Sequence, residues 1–263
     1  MLKLSQLRAI FAKIKLAKRG LLAPGAPSRN LSRLSIKLGG VNIPLSISQS
    51  ANKSTDMHFF RSGAIKSYFK SIPIQHLKKA NLKGIYVLDD REFAGVISGI
   101  GKRTSGPEAM EIFGKYVVMQ KKASKSFQLL AVHNNGRIFF NLSGFKRYVD
   151  SHSDISRIER VAWAKELAKT QALHEFGHNL DNPKAKLTVG GTVPTGSFEK
   201  SFSPEFLKLV GIPLSDIEGG IAQARTTAIE AFASYYAFYG TNPRAMRLAV
   251  PTAYDYMRKF FSS

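Results

Sequence analysis

The chain has 263 residues, of which 44% are hydrophobic and 11% aromatic, a composition that supports a buried core and excludes a disordered chain. It contains no cysteine, which excludes disulfides, thiolate zinc sites and cysteine nucleophiles, so any metal must be bound by His, Asp or Glu. Lys and Arg number 39 against 18 Asp and Glu, and the net charge of +21 predicts attraction to nucleic acid, acidic polymers or anionic membranes.

Residues 1–50 are predicted to form a basic N-terminal helix followed by a linker. The apolar positions of the helix recur at helical spacing: Leu4, Leu7, Phe11 and Ile14. Most of its lysines and arginines fall on the other side, and the Pro-, Gly- and Ser-rich segment 22–30 is the predicted linker. Such a helix suits an anionic membrane surface, a targeting segment, packaged nucleic acid or packing on its own domain. Because lysines interrupt its apolar residues, we expect neither a transmembrane segment nor an ordinary Sec signal peptide.

The second predicted unit, residues 51–263, begins with a small mixed sheet. Its predicted strands are short apolar and β-branched segments at 84–88, 114–119, 127–132 and 136–143. The last two are predicted to form a hairpin, because Asn134, Asn135 and Gly136 between them tolerate the positive φ of a tight turn.

Helices are predicted to follow the sheet. Apolar residues at helical spacing, with no Pro or Gly before Gly177, predict a long helix over 155–179. Further helices are predicted at 204–211, 222–239 and 254–260, and the fold class is therefore α+β.

The long helix ends in the sequence HEFGH, which has the spacing of a metal site. His174 and His178, four residues apart, lie about 40° apart around a helix axis and about 6 Å along it, so both imidazoles can bind one ion. Glu175 lies outside that pair, but it can take a proton from a water activated by zinc. The remaining histidines lack such spacing and are predicted to be surface or turn residues without a role: His58, His76, His133 and His152.

Catalytic zinc usually has three protein ligands, so a third is expected. Asp181 and Lys184 stand where a metzincin has Gly and His, and the loop 191–196 contains no acid. A glutamate on a second helix remains, and Glu230 is the best candidate. Its neighbours on one helical face are all small: Thr226, Thr227, Ala233, Ser234 and Ala237. A small face lets this helix approach the HEFGH helix closely, although Glu230 can also cap its own helix or pair with Arg225.

Two segments together, 174–178 and 225–238, resemble the catalytic domains of anthrax lethal factor and the Pro-Pro endopeptidases. The resemblance covers about residues 136–260 and implies a zincin-like metallopeptidase domain of the gluzincin type, with Glu230 as the third zinc ligand. The family has a tyrosine seven residues before that glutamate, which steadies the oxyanion. This chain departs from the pattern with Gln223, whose amide can donate a hydrogen bond there.

The resemblance also implies that an extended substrate adds to the edge strand before the active helix. The segment 137–143 is the candidate for that strand, and Arg137 and Phe139 are the candidate substrate-binding residues. Because both faces of its IFF sequence are apolar, a buried central position is the alternative.

The leading hypothesis is a zinc-dependent endopeptidase that uses Zn²⁺ and acts on a peptide or protein substrate. The alternative is a basic nucleic-acid- or virion-associated binding protein with a degenerate, non-catalytic zincin fold. The charge alone leaves several settings open, among them secretion, injection into a host and packaging in a virion.

Overall fold

The computed structural model describes residues 31–103, 130–180 and 228–262, and for residues 52, 98–103, 228–231 and 252 it describes the backbone alone. The strands are β1 (Leu31–Leu38), β2 (Val41–Ser48), β3 (Gly84–Leu88), β4 (Ala131–Asn134) and β5 (Arg137–Asn141). The helices are α1 (Gln49–Lys53), α2 (Ser62–Tyr68), α3 (Ile74–Lys79), α4 (Asp90–Arg103), α5 (Leu142–Ser151), α6 (Arg157–Leu180), α7 (Ala228–Thr241), α8 (Pro243–Ala249) and α9 (Pro251–Ser262).

The described strands form one mixed sheet in the order β1-β2-β3-β5-β4. The β2, β3 and β5 strands are parallel, while β1 and β4 are antiparallel to their neighbours and occupy the two edges. A mixed α+β fold with a sheet before the long helix is therefore confirmed.

The first two strands correct the predicted domain boundary near residue 50. Residues 31–48 were assigned to the linker, but their apolar residues alternate with polar ones, as in strands that bury one face. β2 pairs with β3, with Leu45 opposite Ile85, so these strands belong to the same sheet. The predicted N-terminal helix and the linker 22–30 lie outside the described residues.

The predicted hairpin is confirmed as β4 and β5. Asn135 and Gly136 have φ values of +50° and +78°, as a tight turn requires. β5 is shorter than predicted, because the side chain of Asn141 accepts a hydrogen bond from Gly144 N at 3.0 Å and so caps α5. The predicted strand 114–119 and most of 127–132 lie outside the described residues.

The predicted helices agree with the structure where it describes them. The helix over 155–179 corresponds to α6, that over 254–260 lies within α9, and the part of 222–239 that is described lies in α7. The predicted helix at 204–211 is outside the described ranges. None of the helices in those ranges is long and apolar enough to cross a membrane.

The two faces of the sheet are covered differently. Strand residues such as Leu45, Ile85 and Phe140 pack in the main core with α6, α7 and α9. The other face carries a smaller cluster, in which Leu88 and Phe139 pack against Phe93 of α4. The HEFGH helix therefore lies on the main-core face.

His76 connects three helices within the main core and is not the surface residue that was predicted. Its side chain is 3% exposed. Nε2 donates to the carbonyl of Phe260 in α9 at 3.1 Å, and Nδ1 accepts from the hydroxyl of Tyr236 in α7 at 3.0 Å. Burial lowers the pKa of His76, with a smaller contribution from the charge of Lys79, against the hydrogen bond to Phe260.

His76 is expected to make stability depend on pH. Because its folded pKa lies below the ordinary value of 6.5, its contribution is present above that pH and is lost as the pH falls toward the folded pKa. His76→Gln keeps a donor for Phe260 but cannot titrate. Between pH 7 and 5 the unfolding free energy of the His76→Gln variant should fall less steeply than that of the wild type. The two slopes should differ by up to about 1.4 kcal/mol per pH unit.

Urea denaturation at a series of pH values measures both slopes. The exposed His58 supplies the matched histidine-to-glutamine control, and the slope of His76→Gln is compared with that of His58→Gln. Identical slopes for the wild type and His76→Gln would contradict this assignment.

Candidate functional site

The HEFGH segment is buried in the last turns of α6. His174 and Glu175 are 5% and 6% exposed, while Phe176 and Leu173 beside them are fully buried in the core. A buried carboxylate or imidazole is costly unless other groups compensate it. The apolar residues of α6 thus hold polar side chains in a place where they need partners.

The two motif histidines face each other through their Nε2 atoms, which are 3.1 Å apart. Their rings are nearly perpendicular, with an interplanar angle of 87° and centroids 4.8 Å apart. Two imidazole nitrogens at this distance share either a proton or a cation. Adjacent nitrogen ligands of a tetrahedral zinc ion lie about 3.3 Å apart, so this pair fits a zinc ion.

A close helix contact places α7 against the motif. A Cβ added to Gly177 would lie 2.9 Å from Cα of Ala233. Ala233 and Ala237 are 0% and 1% exposed and Ser234 is half-buried, so the described part of the small face predicted for this helix packs inward. Thr226 and Thr227 lie outside the described residues. Only glycine at position 177 allows this approach.

The same contact brings α7 to the first histidine. Oγ of Ser234 lies 3.4 Å from Nδ1 of His174. When Nδ1 carries the proton and donates it to Ser234, the lone pair of Nε2 is left to face His178. Ser234 thereby favours the tautomer in which His174 can bind a cation.

Glu230 lies in α7 one turn before Ser234 and three residues before Ala233. Its backbone position is therefore on the helical face that meets α6. Its side chain is outside the described side chains, and its role as a ligand stays a prediction. Among the side chains that are described, no group of three His, Asp or Glu residues converges on one point.

His133 on β4 is a neighbour of the motif that the prediction missed. It lies on the same face of the sheet as Ala131 and contacts Oδ1 of Asn179 through Nε2 at 2.8 Å. Its ring is stacked on that of His178, with centroids 6.2 Å apart. The alternation of β4 was the available signal, since it directs residues 131 and 133 to the same face.

The protonation of His133 follows from its contacts. Nε2 lies closer to the amide oxygen of Asn179, at 2.8 Å, than to Gly136 N, at 3.2 Å. Because an amide oxygen only accepts, Nε2 carries a proton and donates it to Asn179. Burial lowers the pKa of His133, against the hydrogen bond to Asn179, in keeping with a neutral ring.

The prediction that 137–143 is the edge strand is wrong. β5 lies between β3 and β4, because its apolar residues pack on both faces of the sheet. Phe139 stacks on Tyr86, with centroids 5.0 Å apart, and belongs to the cluster on the face away from α6. Arg137 shares its side of the strand, so neither candidate substrate residue faces the histidines. The edge strand beside α6 is β4.

Two further positions of the predicted site, Gln223 and Arg225, lie outside the described residues. Comparison of the chain with models of protein families, with curated proteins and with solved structures found no match. The geometry of α6, α7 and β4 therefore carries the functional inference.

Gly177→Ala tests the close helix contact. Alanine normally favours a helix by up to about 1 kcal/mol, but here its Cβ meets backbone atoms of Ala233. We expect a net loss of about 1–3 kcal/mol in unfolding free energy, measured by urea denaturation.

Gly63 in α2 is the matched control, because a Cβ there meets nothing within 4 Å. Gly63→Ala should leave stability unchanged or raise it. A Gly177→Ala protein as stable as Gly63→Ala would show that α6 and α7 are not in close contact.

Proposed function

We propose that the protein is a zinc-dependent endopeptidase of the zincin type. The observation that carries the proposal is the pair of Nε2 atoms, 3.1 Å apart, on a helix that also buries Glu175. Two imidazoles and a buried carboxylate within five residues suit metal-assisted hydrolysis. The resemblance of the HEFGH and 225–238 segments to the lethal factor and Pro-Pro endopeptidase domains supports the same function.

Each residue has a separate role in this proposal. His174 and His178 hold the ion through Nε2, and Glu230 supplies the third ligand from α7. When bound, zinc supplies Lewis acidity that polarises the peptide carbonyl and lowers the pKa of a water molecule. Glu175 takes a proton from the attacking water and passes it to the nitrogen of the departing amine, so that water and peptide become a carboxylic acid and an amine.

His174 and His178 each have a further contact, besides the one between their Nε2 atoms, that favours metal binding. Ser234 accepts the Nδ1 proton of His174, which leaves Nε2 as the nitrogen that binds. His133 stacks on His178 and is itself held by its hydrogen bond to Asn179. Both rings are thereby held in position before an ion arrives, and this lowers the entropy cost of binding it.

The substrate is proposed to lie along β4. Within the described ranges no strand pairs with the outer side of β4, so its outward N–H and C=O groups are available to an extended peptide. β4 packs beside the end of α6, where His133 contacts Asn179 directly after His178. A peptide paired with β4 thus runs past the metal-binding histidines.

Two variants separate the proposed roles. Glu175→Gln should keep zinc but lose cleavage by about 100-fold or more, because the amide cannot accept the proton. Glu230→Ala should weaken zinc binding at least about tenfold, because one ligand is removed. Metal analysis and cleavage of a peptide library, run in parallel on each purified full-length variant, measure both effects.

Glu159, an exposed carboxylate at the start of α6, is the control, and Glu159→Gln should retain both properties. Undiminished cleavage by Glu175→Gln would refute the role of the base. Undiminished zinc content in Glu230→Ala would move the third ligand elsewhere.

A further inference from the structure

One end of the sheet carries a cluster of cations. The β1–β2 turn, the start of β3 and the β4–β5 turn meet there, because β2, β3 and β5 are parallel. α3 packs against the first turn, where a Cβ on Gly39 would lie 2.9 Å from Leu77. We define the basic end by the five cations on these segments: Lys37, Lys78, Lys79, Lys83 and Arg137.

The basic end is continuous with the β4–β5 turn. Lys83 N donates to the carbonyl of Gly136 at 2.7 Å, and its Nζ donates to Oδ1 of Asn135 at 3.2 Å. Arg137 is the first residue of β5 and pairs with Asn134, the last residue of β4. Two cations therefore flank the point at which the edge strand ends.

These cations have no acidic partners in the described part of the chain. No Asp or Glu occurs between residues 57 and 88, which contain six lysines and arginines. Lys37, Lys78, Lys79 and Lys83 are exposed, and Arg137 is half-exposed. Lys79 lies over the ring of Phe260 at 5.9 Å, and no carboxylate within residues 31–103, 130–180 and 228–262 pairs with any of the five.

Two arginines outside the basic end are paired with acids. Arg147 forms two hydrogen bonds with the carboxylate of Asp90. Arg157 does the same with Asp56, at 2.9 Å for both bonds. At these two places the chain supplies an acid beside the cation, as it does not for the five cations of the basic end within the described ranges.

The basic end lies next to the proposed active site. His133 immediately precedes Asn134, and it contacts Asn179, the residue after His178. In the register of the sheet Arg137 lies level with Asn134, and Lys83 lies level with the residues of the turn that follows it. A peptide that continues past the end of β4 therefore lies level with both cations.

We propose that the basic end binds an acidic segment of the peptide substrate, so that the protein selects polypeptides with Asp or Glu beside the cleaved region. This inference rests on the proposed function, because a peptide is a substrate only if the protein is a peptidase. Binding of an acidic peptide can be measured without cleavage. A peptide is the favoured partner because the cations continue the open edge of β4, whose backbone groups recognise polypeptide and not nucleic acid. Charge complementarity then adds selectivity and faster association.

The test uses full-length Glu175→Gln protein, in which bound peptide is not consumed. Three fluorescein-labelled peptides of equal length, one rich in Glu and Asp, one neutral and one rich in Lys, are titrated at low salt and read by fluorescence anisotropy. We expect the acidic peptide to bind at least about tenfold more tightly than the neutral one, with a difference that shrinks as salt is added.

Charge reversal locates the binding surface. Adding Lys83→Glu and Arg137→Glu to the Glu175→Gln protein should abolish the preference for the acidic peptide. Lys53→Glu with Lys146→Glu is the matched control, because it changes the net charge equally on exposed residues that follow the carboxyl ends of β2 and β5. Circular dichroism establishes that each variant is folded.

Two results would overturn the inference. One is that the acidic peptide binds no more tightly than the neutral peptide. The same conclusion follows if the acidic peptide binds equally well to the Lys83→Glu, Arg137→Glu variant and to the control variant. The other is that a DNA duplex binds more tightly than the acidic peptide and that this binding is lost with Lys83→Glu and Arg137→Glu. The basic end would then be a nucleic-acid surface. Zinc content and cleavage, measured separately on the wild type, test the proposed function and leave the binding result intact.

Discussion

The close contact between α6 and α7 at Gly177 and Ala233 determines the arrangement of the motif. With a Cβ on residue 177 the two backbones could not approach as they do. This approach buries the polar side of the HEFGH turn between two helices and the sheet. It also brings Ser234 to His174 and places the backbone of Glu230 one turn away on the same face. The rest of the site depends on this contact.

Stability and function make opposite demands at this place. An apolar side chain at position 174 or 175 would fill the core without the cost of burying a polar group, which is about 1–3 kcal/mol or more when unpaired. The chain instead keeps two imidazoles 3.1 Å apart and surrounds them with Ser234, His133 and Asn179. His76 shows the contrasting case, since both of its nitrogens are satisfied within the fold and it binds three helices together.

Sequence reasoning recovered the parts of the fold that local patterns specify. The period of α6, the turn at Asn135 and Gly136 and the small face of α7 each follow from the properties of adjacent residues, and the structure agrees with them. The order of strands does not follow from such patterns. β5 is apolar on both faces, and only its pairing with both β3 and β4 makes it an interior strand. β1 and β2 were missed because their polar residues resemble a linker unless the alternation is followed over the full strand.

The surroundings of the histidines were also beyond local reasoning. His133 is 46 residues from Asn179 along the chain, and the alternation of β4 indicates its face of the sheet but not this contact. The same holds for the basic end, whose cations come from β1, α3, the residue before β3 and β5 and meet because the parallel strands begin at one end of the sheet.

The central claim is that His174 and His178 bind one zinc ion. X-ray absorption at the zinc K-edge of full-length protein loaded with one equivalent of zinc tests it most directly. Zinc held by this pair should have imidazole nitrogens at about 2.0–2.1 Å, and the bound ion should be lost when both histidines are replaced by alanine. An absorption spectrum without imidazole ligands, or unchanged zinc binding in the double variant, would contradict it.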